Sequence, residues 1–338
     1  MLLDASDVRK LNTNLIRSVM WRGGEHTKQS VALDTGLSVS TCNTLLNELE
    51  KNGEIIGRKQ QLHGVGRSTC VYRINEDYET ILCIRYDMAT NGVRTIQCDV
   101  LSMLGSVIFR DHSCYEWLDP QLIGEKIAEM LEKFWNISCI IVGTNGFLDN
   151  GLIHVSDIPE MESIPLWDVI QSKTRGLPTK IMYDLHCYAY GAYKKAGYST
   201  ETVTFYHCPS HHLPGSASVI NGKIVTGKNN FAGLTGYLPR GISPDEQIRL
   251  VTQNPHDITY VIEAITAIIT VLNPNEIVFA GDIIDAAAIS QIRSACEKQI
   301  PSNFLPKFRL IGTEYESSYL EGMYQIALEM KQNLTSGW

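Results

Sequence analysis

A chain of 338 residues that is 44% hydrophobic and 20% charged is long enough for two or three domains and has the balance of a folded globular protein. No apolar run approaches the roughly 18–20 residues of a bilayer-spanning helix, and the first ten residues carry charged breaks and no signal-peptide core. A cytoplasmic protein with no membrane partner is therefore expected. Nine cysteines stand singly between Cys42 and Cys296 with no C-x-x-C pair, which argues against a disulfide framework and a cysteine-rich zinc site.

The formal net charge of −8 is uneven along the chain. Residues 1–76 hold ten Lys/Arg against eight Asp/Glu, or +2, so the rest of the chain carries −10. Between residues 51 and 73, five basic residues (Lys51, Arg58, Lys59, Arg67, Arg73) stand against one acidic residue, Glu54. An acidic body behind a locally basic head suits a protein that grips a polyanion through the head alone.

In chain order, Val8, Leu11, Leu15, Ile16, Val19 and Met20 recur at helical spacing, so a first helix is expected over 8–21, ended by Gly23-Gly24. Thr27 then caps a short helix closed by Asp34-Thr35-Gly36. Ser38 caps a third helix that runs to about Asn52, with Cys42, Leu45, Leu46 and Leu49 on its apolar stripe. Two helices joined by a short Gly-containing turn make a helix-turn-helix. Two strand-like runs follow, Glu54–Gly57 and Thr69–Ile74, around a Gly-rich basic loop, and together these elements read as a winged helix-turn-helix over 1–76. Its expected partner is a double-stranded DNA operator. Ser38, Ser40, Thr41, Asn43, Thr44 and Asn47 are placed to meet base edges from the third helix, while Arg58, Lys59 and Arg67 neutralise phosphates or enter the minor groove. The plainer alternative is a helix-turn-helix used only for packing, with a solvated basic loop.

From Glu79 the pattern changes. Strands at 81–84, 94–100 and 105–109 form a meander. A helix over 121–134 and the buried strand Cys139–Val142 follow, leading into Gly143-Thr144-Asn145-Gly146. A strand over 180–183 runs into a helix over 185–195. Next come strands near 202–206, 217–220 and 224–225, a helix near 257–271, and the strand Glu276–Ala280 that ends at Gly281-Asp282. Meanders followed by βα units, twice over, imply an α/β body over 77–338 with two lobes and a cleft between them.

A winged helix-turn-helix ahead of such a body resembles the ROK family (repressors, open reading frames, kinases), and the resemblance covers essentially the whole chain. Gly143–Gly151 is similar to the family's Gly-x-x-Gly-x-x-Asp segment. Asp184 matches its catalytic aspartate, and Ala217–Lys223 the strand-turn after its phosphate loop. Phe231–Tyr237 matches the Ala-Gly-Glu-x-Gly-His signature, and Asn273–Gly281 the late adenosine-side strand. The resemblance implies an actin-like (ribonuclease H-like) two-lobed sugar-kinase fold.

The departures matter as much. Phosphoryl transfer needs backbone amides around the phosphates, a metal and a base on the accepting hydroxyl. Where the family has Asp-Ile-Gly-Gly-Thr, this chain has Arg85-Tyr86-Asp87-Met88-Ala89, and without paired glycines the backbone cannot approach a phosphate closely. The second phosphate loop falls at His212–Ala217 and gains Pro214, which lacks an amide donor. Tyr183, Leu234 and Tyr237 stand where the family has asparagine, glutamate and histidine, and no cysteine follows Tyr237 to hold zinc. ATP binding, catalysis, bound cofactor and structural metal are accordingly not expected, and an ATP-dependent hexose kinase with a vestigial head stands as the alternative. His207, Cys208, His211 and His212 lie close together but lack a second ligand group elsewhere. An ordinary helix N-cap is the expected main role of Asp184, with ligand contact as the other. The tyrosines of 183–193 either pack a helix or stack on a ligand. The resemblance thus implies a transcriptional regulator, chiefly a repressor acting on carbohydrate genes. It would form a dimer or tetramer and sense a sugar or other small-molecule effector near Asn145, Gly146, Tyr183, Asp184 and Tyr237.

Overall fold

The head's helices begin where side chains can cap them. α1 (Ala5–Met20) opens with a reciprocal capping box between Asp4 and Asp7. In α2 (Lys28–Thr35) Thr27 and Ser30 do the same, and the helix stops at Gly36, whose φ of 72° suits a residue without Cβ. α3 (Val39–Lys51) starts at Ser38, whose hydroxyl accepts the Thr41 amide. The short β1 (His26–Thr27) pairs with β3 (Thr69–Ile74), which pairs in turn with β2 (Ile55–Gln60) in an antiparallel sheet ordered β1-β3-β2. The structure is a computed structural model that describes residues 4–60, 69–89, 91–210, 212–312 and 314–336. Residues 61–68, which include Arg67, lie outside the described residues, as does His211.

Residues 75–79 join β3 to the first of two five-stranded sheets. The first contains β4 (Thr80–Met88), β5 (Arg94–Ser102) and β6 (Val107–Tyr115) as an antiparallel meander. α4 (Pro120–Lys133) then leads to β7 (Ile137–Thr144), the short hairpin β8 (Phe147–Asp149) and β9 (Leu152–His154), α5 (Leu166–Lys173) and β10 (Thr179–Tyr183). β7 and β10 add in parallel, giving the order β10-β7-β4-β5-β6. α6 (Asp184–Lys195) crosses to the second sheet. There β11 (Thr202–His207), β12 (Gly215–Ile220) and β13 (Lys223–Ile224) repeat the meander. α7 (Pro244–Gln253), α8 (Thr259–Leu272), β14 (Glu276–Ala280), α9 (Ala286–Glu297), β15 (Lys307–Leu310) and α10 (Tyr315–Ser336) complete the chain, and the second sheet is ordered β13-β12-β11-β14-β15.

Alternation along the strands sorts the core. In β4, Ile81 and Cys83 face one cluster while Leu82 and Ile84 face another. β7 divides Cys139 and Ile141 from Ile140 and Val142 in the same way. In the second sheet Phe205 and Val278 join the cluster of Cys83 and Ile141, whereas Tyr206, Ile277 and Phe279 pack under α8 and α9. The cluster common to both sheets is filled by α6 and α10, which lie between them. It also runs into the head, where Ile16, Val19, Leu45 and Leu46 belong to it.

Most expected elements stand within a few residues of their forecast ends as far as β14, but β6 runs six residues past its forecast end at 109. α5, α7, α9, β15 and α10, and the short strands β1, β8 and β9, have no counterpart among the expected elements. Among the described residues no helix is long and apolar enough to cross a membrane.

Candidate functional site

A cavity of about 570 Å³ opens between the two sheets. α6 points its first turn at it. β10 ends at Tyr183, whose extended backbone (φ −63°, ψ 135°) forms the N-cap position with no side-chain cap bond. Asp184 is thus the first residue of the helix and not its cap, a correction to the expected role. Its Oδ1 accepts only the neighbouring Leu185 amide, at 2.6 Å, and the carboxylate lines the cavity. Burial drives its pKa well above the usual carboxylate range, and the charges of Asp157 and Asp87 push it the same way. Asp87 lines the same cavity from the end of β4 and is itself raised, first by its position between the lobes and then by Asp157.

The opposing groups are histidines and rings. His212 Nδ1 pairs with Asp157 Oδ1 at 3.1 Å, and this bond raises the imidazole's pKa. His207 is instead pushed down to about 4 by burial, and its Nε2 lies 3.5 Å from the Tyr315 hydroxyl. Tyr315, the first residue of α10, stacks on Tyr188 of α6 with centroids 4.3 Å apart. Tyr183 meets Phe147 at 4.4 Å, and Phe231 bridges Phe147 to Tyr237 at 6.1 and 5.3 Å. Cys208 turns away to the Tyr260 hydroxyl, 3.3 Å from its Sγ. Among the described residues no group of His, Cys, Asp and Glu is arranged to hold a metal ion.

Of the residues expected near an effector, Asn145, Tyr183, Asp184 and Tyr237 line the cavity. Gly146 is not among the lining residues. A Cβ there would meet Ile153 and Ser156, so the glycine serves close packing behind the wall. Tyr188, one of the tyrosines weighed for ligand stacking, also lines the cavity, as do Asp87, Asp157, Tyr315 and His212, for which no effector contact is expected from the sequence. Asp87 carried a signal, since it replaces a glycine of the expected phosphate loop; Asp157 sits in a loop with none.

The stretches that stand at the positions of the family's phosphate loops carry other contacts. β4 runs straight through Tyr86, whose hydroxyl shares a 2.6 Å hydrogen bond with that of Thr144. After β11, the Ser210 amide and hydroxyl donate to the Asp282 carboxylate at 2.8 and 2.6 Å. Pro209 and Pro214 in the same loop have no amide to offer.

At the other end of the molecule α3 exposes Ser40, Thr44 and Asn47. Ser38 and Thr41 are engaged in the cap, their hydroxyls 2.9 Å apart. Asn43 accepts a hydrogen bond from Lys28, and Asn47 accepts one from the Tyr72 hydroxyl at 3.4 Å. On β2, Arg58 and Lys59 are both exposed, with Arg58 paired to the exposed Glu25 at 3.0 Å.

Comparison with solved structures gives a match over nearly the full length. A ROK family transcriptional regulator, a homolog of the E. coli MLC protein, superposes with a TM-score of 0.71 at 13% identity, covering 98% of this chain and 99% of that one. The fold is that of the ROK proteins. A ROK hexokinase from Thermus thermophilus matches at TM-score 0.56 and 15% identity over 75% of this chain and 99% of its own. A ROK family glucokinase from Streptomyces griseus, solved with glucose and AMPPNP, matches at 0.52 and 11% over 73% and 99%. No protein-family model matches the sequence, and no curated protein does.

Proposed function

We propose that the protein is a DNA-binding transcriptional regulator of the ROK family, with a winged helix-turn-helix over 1–76 and an effector-sensing, self-associating body over 77–338. The observation that carries the proposal is the head. Its three helices and antiparallel hairpin set the small polar side chains of Ser40, Thr44 and Asn47 on one exposed helix face, with Arg58 and Lys59 on the hairpin beside it. That is the composition needed to approach base edges and hold phosphates. The match to a regulator over 98% of the chain, against about three quarters for the kinases, supports the same reading.

The route from cleft to head runs along α10. Its first residue lines the cleft, and Gly322 crosses Gly191 of α6 with backbones in contact. The Tyr324 hydroxyl donates to Met103 O at 2.9 Å, and Lys331 binds Glu79 at 2.6 Å and Ser138 at 2.8 Å. α1 of the head packs on the same helix. A ligand that favours one lobe closure would shift this rod, and with it the spacing of two heads in a dimer on a pseudo-palindromic operator.

The kinase reading draws on Asp184 in the cleft. Against it stand Pro209, Pro214 and the amide already given to Asp282. The deciding experiment is binding to the DNA upstream of the protein's own gene as a function of salt. We expect affinity to fall as salt rises, and Arg58→Ala or Arg67→Ala to lower the log–log slope by about 0.9 per head. Salt-insensitive binding, or no change in either variant, overturns the assignment. Hexose-dependent ADP release abolished by Asp184→Asn would replace it with the kinase.

A further inference from the structure

We propose that the cleft takes a small protonated amine that also carries a hydrogen-bond-accepting oxygen, such as an amino alcohol or amino sugar. The inference rests on reading the cleft as the effector site and names the chemistry that site selects. Among the described residues, four carboxylates line the cavity (Asp87, Asp157, Asp184 and Asp245), and no lysine or arginine does. Arg85, whose charge is felt by Asp87, does not line the cavity and is paired with Glu316. His212 is charged only when protonated, and its ring is already paired with Asp157. Asp87, Asp157 and Asp184 lie close enough for their charges to act on one another, with Asp184 half-buried and Asp87 and Asp157 open to solvent, so a cation seated beside Asp184 would relieve the repulsion there.

A second, independent feature points to a ligand. Asn145 is 7% exposed and lines the cavity. Its Oδ1 accepts the Ser156 hydroxyl at 3.0 Å, while its Nδ2 has no partner. A buried amide donor left open is costly, so the site is incomplete without an acceptor. The stacked pair Tyr188–Tyr315 and the tilted pair Tyr183–Phe147 add ring faces, and these attract cations. A phosphate ester would meet carboxylates with no cation to hold it. A neutral hexose would leave their mutual repulsion in place.

The test uses the full chain with glucosamine and ethanolamine as probes, each against its neutral isostere, glucose and ethylene glycol, and with a hexose phosphate alongside. Melting temperature and calorimetric affinity are read for the wild type and for Asp87→Asn. We expect at least one amine to bind about tenfold or more tightly than its isostere, the hexose phosphate not to bind, and the preference to collapse in Asp87→Asn. That variant removes a repulsive charge, so it should melt no lower than wild type when empty, which separates lost binding from lost folding. Isosteres that bind as tightly as their amines in both pairs, binding of the phosphate ester, no binding by either amine, or full amine affinity in Asp87→Asn each overturns the proposal. Operator binding in the same preparations scores the regulator reading separately. Protein that holds DNA but no amine sinks only the ligand class, and the reverse sinks only the regulator.

Discussion

Replacing Gly322 by alanine tests whether the α6–α10 crossing is as close as the structure has it. A Cβ built on Gly322 falls 2.7 Å from the Cys187 carbonyl carbon and nearer still to its oxygen, where ordinary contact begins at 3.4 Å. The obstacle is backbone of a buried helix and cannot swing aside as a side-chain tip would. To restore ordinary contact with that oxygen the helices must part by roughly 1.5 Å, enough to forfeit half or more of each contact across the gap. Overpacking of this kind costs about 1–3 kcal/mol, and the rigid obstacle argues for the upper end. Alanine returns about 1 kcal/mol in helix propensity, leaving a net loss of about 2 kcal/mol. Thermal or urea unfolding should therefore put Gly322→Ala several degrees below wild type. Gly312→Ala has nothing within 4 Å of the new methyl and serves as the control, within about 0.5 kcal/mol of wild type. A Gly322→Ala variant as stable as the control would refute the crossing and, with it, the rigid rod from cleft to head.

Two further outcomes follow from the cleft's charges. Asp184 titrates higher in the folded protein than in the unfolded chain, so its contribution is fully present below the ordinary carboxylate value and is lost as pH rises through the folded value. Asp184→Asn should match wild type in melting temperature near about pH 4 and exceed it increasingly toward about pH 8; a gap independent of pH would rule out the repulsive cluster. His212 is raised by Asp157, so its stabilisation is present below its unfolded pKa of 6.5 and disappears as pH rises through the folded value. His212→Gln should accordingly be destabilised at about pH 6 and nearly neutral well above the folded value, and equal loss at both would show that the pair carries no charge.

Much of the fold was legible because it is written locally. Thr27, Ser38 and Gly36 mark helix ends by bonds within four residues, and the alternation in β4 and β7 reports burial on both faces from single segments. α10 escaped for the opposite reason. Lying between two sheets, it buries Tyr319, Met323, Tyr324, Ile326 and Leu328 around much of its circumference, so no single apolar stripe announces it. Gly322 in its middle reads as a break until the backbone of α6 is seen against it.

The same division runs through the site. From sequence alone came a basic head on an acidic body, the loss of the phosphate-loop glycines, and the four cavity residues Asn145, Tyr183, Asp184 and Tyr237. That Asp184 faces the cleft without capping its helix was decided by tertiary structure, as was the gathering of Asp87 and Asp157 around it from two distant segments. Caps and periodicity act over a few residues and leave their mark on neighbouring letters. Electrostatic repulsion between groups some 30 and 70 positions apart exists only once two sheets have closed around the space between them.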